Sequence, residues 1–66
     1  VKLKRGIIGD CLWADGKHVR VVIIEVKKNE LTVVILEDIN DKWQCGSIAN
    51  VGHWQFGPEC TLELDE

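Results

Sequence analysis

Among the 66 residues there is no Tyr and no Met, with a single Pro and a single Phe. No run of 18 apolar residues occurs, which excludes a membrane-spanning helix. No apolar segment precedes a small-residue cleavage site, so no secretory leader is expected. No two Cys stand two to four residues apart, the usual spacing in structural zinc sites. A Gly-rich phosphate loop is missing, and no stretch keeps a helical apolar period. An excess of basic residues is missing as well. Eight Lys and Arg against eleven Asp and Glu leave a net charge of −3, which argues against nucleic acid as the main partner. The lack of Met leaves Val1 open as a native or a trimmed start.

A chain of this length forms one domain, residues 1–66, that buries only about 60% of its unfolded surface. Domains this small commonly gain from disulfides, metal or self-association. Cys11, Cys45 and Cys60 are odd in number, which fits a closed intramolecular disulfide set poorly. Free thiols packed as small hydrophobes suit a reducing compartment, so a cytoplasmic location is expected. One bridge with one free thiol stays open.

What the sequence does have is β-branched residues in two runs, Val19–Val26 and Leu31–Leu36, around Lys27-Lys28-Asn29-Glu30. Branching at Cβ favours strand over helix, so the stretch predicts a β-hairpin. The expected register sets Val26 against Leu31, Ile24 against Val33, Val22 against Ile35, and Arg20 against Glu37. Side chains alternate along a strand, so Val22, Ile24, Val26, Leu31, Val33 and Ile35 share the face expected to be core. Val21, Ile23, Val34 and Leu36 share the other. Both faces are therefore apolar. A bent barrel that buries both would explain this, and so would an interface with another chain.

The remaining segments read as short strands and turns. Val1 to Arg5 alternates as an edge strand whose lysines discourage further pairing. Its positive charge would be compensated by Glu59, Glu63, Asp65 and Glu66 if the termini pair. Asp15-Gly16 marks a hairpin, and a two-residue turn there sets Trp13 against His18. Glu37 to Lys42 is a polar loop, and its carboxylates lack the spacing of a calcium loop. Trp43 to Cys45 and His53 to Phe56 alternate like strands. A short helical turn is expected near residues 47–51, with Ser47 as N-cap. Leu62 and Leu64 should point inward. The pattern predicts an all-β fold, a small, strongly bent antiparallel SH3-like barrel of five or six strands.

Gly9-Asp10-Cys11-Leu12-Trp13-Ala14-Asp15-Gly16, followed by Val21–Val26 and Thr32-Val33-Val34-Ile35, resembles the opening of a Tudor domain. The resemblance covers about residues 8–40 and implies an SH3-like barrel. It also implies a cage of aromatic rings for methylated side chains. Trp13 matches one cage position, whereas the others carry Val19, Leu36 and Ile39.

No catalytic residues are assigned and the chain is expected not to be an enzyme. Cys45, His53 and Cys60, with Cys11 and His18 elsewhere, lack the spacing of a zinc site, so no metal or other cofactor is expected. Three Trp in so short a chain are hard to bury fully, and Trp is enriched in binding hot spots. Trp13, His18, Trp43, Trp54 and Phe56 are the expected partner-binding residues, with Val21, Ile23 and Val34 on the apolar sheet face. The expected function is protein binding, to a second copy or to a partner. The alternative is a nucleic-acid-binding barrel that uses Lys2, Lys4 and Arg5 with stacked rings.

Overall fold

The computed structural model describes residues 1–64; Asp65 and Glu66, two of the four acidic residues expected to compensate the N-terminus, lie outside them. The fold is all-β. In chain order the elements are β1 (Lys2–Leu3), β2 (Ile8–Leu12), β3 (His18–Val26), β4 (Glu30–Ile35), β5 (Ile48–Gly52), a 3-10 turn (His53–Phe56) and β6 (Thr61–Leu62). β2, β3, β4 and β5 form an antiparallel sheet in that order, and β1 pairs in parallel with β6. The termini therefore do lie side by side. The N-terminal ammonium donates to the Glu59 carbonyl at 3.1 Å, and Thr61 and Glu63 N–H donate to the carbonyls of Val1 and Leu3.

Next to the turn, β3 and β4 keep the expected register, Val26 opposite Leu31 and Glu25 opposite Thr32. A β-bulge then intervenes between Ile23 and Glu25, so Ile23 opposes Val33 and Val21 opposes Ile35. One extra residue on one strand reverses which of its side chains face each side. The core on β3 is consequently Val19, Val21 and Ile23, and not Val22 and Ile24. The β4 half of the expectation holds: Leu31, Val33 and Ile35 are fully buried. Arg20 accordingly lies opposite Leu36 rather than Glu37, and its carbonyl accepts the Leu36 N–H at 2.9 Å.

The first hairpin is also shifted by one. Trp13 N–H donates to the Lys17 carbonyl at 2.7 Å, enclosing a three-residue loop, and Leu12, not Trp13, opposes His18. Gly16 sits at φ +85°, which only Gly adopts without strain, and this left-handed residue lengthens the loop. Asp15 Oδ1 accepts the Lys17 N–H at 3.0 Å and closes it.

Four further expectations are corrected. Residues 48–52 are strand, not a helical turn: they pair with β4 throughout, and the Ser47 hydroxyl accepts the Gln44 N–H instead of capping a helix. The helical turn comes next, at His53–Phe56, where alternation suggested a strand. Trp43 to Cys45 belongs to the loop between β4 and β5, and Leu64 is exposed. That loop is organised by its own polar side chains. Asn40 Oδ1 accepts the N–H groups of Lys42 and Trp43 at 2.8 and 2.9 Å, and Asp38 Oδ1 accepts that of Cys45 at 2.9 Å. The acidic stretch thus shapes the loop that presents Trp43.

Gln55, in the 3-10 turn, ties the two outer strands of the sheet. Its Oε1 accepts the Gly52 N–H of β5, and its Nε2 donates to the Leu12 carbonyl of β2, both at 2.8 Å. One side-chain amide thus does the work of a peptide group between two strand ends that do not pair directly. Gln55→Leu should lower unfolding stability by about 2 kcal/mol in urea titration, because two part-buried backbone groups lose their partner. Gln55→Glu, which can accept from Gly52 but cannot donate to Leu12 when ionised, should fall short of wild type as well.

Candidate functional site

The inner side of the sheet is the core. Ile7, Ile23, Val33 and Ala49 form one row across it, with Leu3, Cys11, Val51 and Cys60 packed around them. Val21 and Ile23, expected on the partner-binding face, belong to this core and are closed to any partner.

The outer side carries a second apolar row. Ile8 opposes Val22, Val22 opposes Val34, and Val34 opposes Ile48. Directly opposed residues share a face, so these four β-branched side chains cross the sheet from edge to edge. Ile8 is 62% exposed and Ile48 63% exposed, with Val22 and Val34 half-buried between them. Ile24, pushed out at the bulge, and Leu36 extend the row and are 38% and 37% exposed. Of Val21, Ile23 and Val34, Val34 lies on this outer face. Polar groups bound the row on both sides. Asp10 and Arg20 lie on one flank, 3.9 Å apart, and on the other Thr32 Oγ1 donates to Asn50 Oδ1 at 2.8 Å, near Glu25.

The aromatic residues do not gather into one patch. Trp13 and Trp43 meet edge to face, ring centroids 5.4 Å apart at 79°, and both are half-buried against the core. Such a pair contributes about 0.5–1.5 kcal/mol beyond its area. Lys42 Nζ lies 5.6 Å from the Trp43 ring centroid. Between the rings and β5 is a hollow of about 250 Å³, walled also by Ala49, Asn50, Val51 and Gln55. A second hollow, about 360 Å³, lies across Trp13 towards Trp54. Trp54 is exposed and covers Gly52: a Cβ there would come within 2.7 Å of its Cδ1. Phe56 packs over Gly9, where a Cβ would lie 3.5 Å from the ring. His18 is exposed on the outer face opposite Leu12 and not beside Trp13. Of the positions the Tudor resemblance assigns to a cage, Val19 is buried core, Leu36 is on the outer face and Ile39 is half-buried. The ring that meets Trp13 is that of Trp43, from the loop. Its approach depends on the Asn40 turn, which no periodicity in the sequence marks.

All three thiols are free, with Cys11 and Cys60 buried and Cys45 exposed. Among the described residues no three His, Cys, Asp or Glu side chains gather in a way that could hold a metal ion. Burial first, and the Asp10 carboxylate second, push the Cys11 thiol up from 9.0 to about 11. A thiol shifted this way is a weak nucleophile at neutral pH. The shift also has a stability consequence. The folded state holds the proton more tightly than the unfolded chain, so its contribution is complete below pH 9 and is lost as pH rises towards 11. The loss should reach about 2–3 kcal/mol, from about 1.4 kcal/mol for each pH unit between the two pKa values. Urea titrations from pH 8 to 11 on wild type and Cys11→Ala should diverge across that window, and parallel curves would contradict the assignment.

No helix among the described residues is long and apolar enough to cross a membrane. Comparison with protein-family models, with curated proteins and with solved structures finds no match to the chain.

Proposed function

We propose that this chain is a non-catalytic protein-binding module that associates with a second copy of itself through the outer face of its four-stranded sheet. The observation that carries the reading is the edge-to-edge row Ile8, Val22, Val34 and Ile48, open to water at both ends. Scattered apolar residues on a surface are ordinary, but a contiguous row with polar flanks marks an interaction site. The strand order and the bend at the β3 bulge support a small SH3-like, Tudor-like barrel as its scaffold. Three free thiols support a reducing, cytoplasmic setting.

Size and charge favour a second copy as the occupant. Four strands at about 4.8 Å spacing, each showing about five residues at about 3.3 Å, make a face roughly 19 by 16 Å. An identical face matches it in extent, and two antiparallel sheets pack about 10 Å apart with their side chains interdigitated. The flank carries both signs, Asp10 and Arg20, so a two-fold axis can set each against its opposite on the other copy. The area is below that of a standard interface of roughly 1,600 Å², so the dimer should be weak, in the micromolar to millimolar range. Sedimentation velocity over a concentration series tests this. The weight-average mass should climb from monomer towards dimer, and a constant monomer throughout would overturn the proposal.

A further inference from the structure

The two edges of the four-stranded sheet end differently. At the β2 edge Phe56 packs over Gly9, Gln55 occupies the Leu12 carbonyl, and Asp10 adds a charge. At the β5 edge Gln55 Oε1 accepts the N–H of Gly52, the last residue, and Ile48–Gly52 carries no charged side chain. Ile35 N–H donates to the Ser47 carbonyl, and Val33 opposes Ala49, so odd-numbered residues of β5 bond to β4. Antiparallel pairing alternates, which turns the N–H and C=O groups of Ile48 and Asn50 away from β4. Both residues are exposed, and no other strand among the described residues pairs with that edge. Edges are commonly guarded by Lys, Pro or a bulge, and Ile48–Gly52 contains no Lys or Pro and pairs in continuous register.

The hollow between Trp13 and Trp43 opens beside this same edge, with Ala49, Asn50 and Val51 as its β5 wall. At about 250 Å³ it is smaller than most small-molecule sites, which run about 300–1,000 Å³. It is nevertheless large enough for one ring-sized side chain, since a cavity of about 150 Å³ holds benzene. We infer that the β5 edge and this hollow together form a docking site for an extended segment of a partner protein, which adds as a strand beside β5 and seats one bulky apolar side chain between Trp13 and Trp43. Backbone bonds to Ile48 and Asn50 supply the alignment, and the hollow supplies the selectivity. The loop that carries Trp43 exposes Glu37, Asp38 and Asp41 against the single Lys42, so the segment has basic residues beside its apolar one. This site is separate from the outer row. Ile48 belongs to both, through its backbone here and its side chain there.

The test is an NMR titration of the full ¹⁵N-labelled chain, kept dilute, with a capped Lys-Thr-Leu-Thr-Lys peptide. Amide shifts should centre on Ile48 and Asn50, with the indole N–H signals of Trp13 and Trp43 moving together. Replacing the central Leu by Ala should weaken binding at least about tenfold. N-methylation along the peptide should block binding at alternate positions only, the signature of strand pairing. Trp43→Ala should lose the preference for Leu. Ile48→Pro, which removes an outward N–H that the ladder does not use at the first residue of β5, should weaken every peptide and serves if the Trp43 variant does not fold. Absence of shifts at millimolar peptide, equal binding of the Leu and Ala peptides, or indifference to N-methylation would overturn the inference. So would protection of the Ile48 and Asn50 amides by concentrating the protein alone, which would make the occupant a second copy.

Discussion

Ile23→Ala should remove a large share of the chain's folding stability, whereas Ile24→Ala should be nearly silent. The two residues are neighbours with the same side chain, and they differ only in which way the bulge turns them. Ile23 is fully buried between Ile7 and Val33, and truncating such a residue costs about 2–5 kcal/mol. A domain of 66 residues has only about 3–10 kcal/mol to lose, at about 0.05–0.15 kcal/mol per residue. Ile24 already faces water in part, and its truncation should cost less than about 1 kcal/mol. Thermal and urea unfolding of the two variants side by side measure the difference. Equal losses, or a larger loss at Ile24, would mean that β3 lacks the bulge and presents its other face to the core.

The second large effect concerns association. Ile8→Lys combined with Ile48→Lys places an ammonium at each end of the outer row. Dimerisation would then have to desolvate four like charges, so it should weaken at least about tenfold, equivalent to about 1.4 kcal/mol. The fold itself should be spared, because substitutions at exposed positions usually change stability by no more than about 0.5 kcal/mol. Light scattering should therefore show a monomer across the range in which wild type gains mass, with the two melting curves superimposed at low concentration. A variant that associates as wild type does would move the contact elsewhere.

The all-β class and the central hairpin were legible because β-branched residues cluster around a polar turn and the Val26–Leu31 pairing follows from it. The core face of β3 was not. A bulge is a single added residue that no Gly or other break in β3 marks, so alternation read outward from the turn runs on past Ile24 into the wrong set. The first hairpin slipped for a related reason: Asp15-Gly16 fits a two-residue turn and a three-residue loop equally well, and the choice moves Trp13 away from His18. The β4–β5 loop hid the most. Asp38 and Asn40 read as solvated surface, yet they accept backbone bonds that bring Trp43 to Trp13. The presence of two apolar faces, by contrast, is legible in the sequence, since Val22 and Val34 alternate with apolar neighbours whichever register is chosen.

The most direct test is methyl NMR with a soluble paramagnetic probe at low and high protein concentration. In dilute solution the methyl signals of Ile8, Val22, Val34 and Ile48 should broaden while those of Ile23, Val33 and Ile35 stay sharp. Raising the concentration to about 1 mM, within the range of a weak interface, should restore the outer signals. Outer methyls that remain broadened at every concentration, or inner methyls that broaden in their place, would contradict a buried inner row and a self-associating outer one.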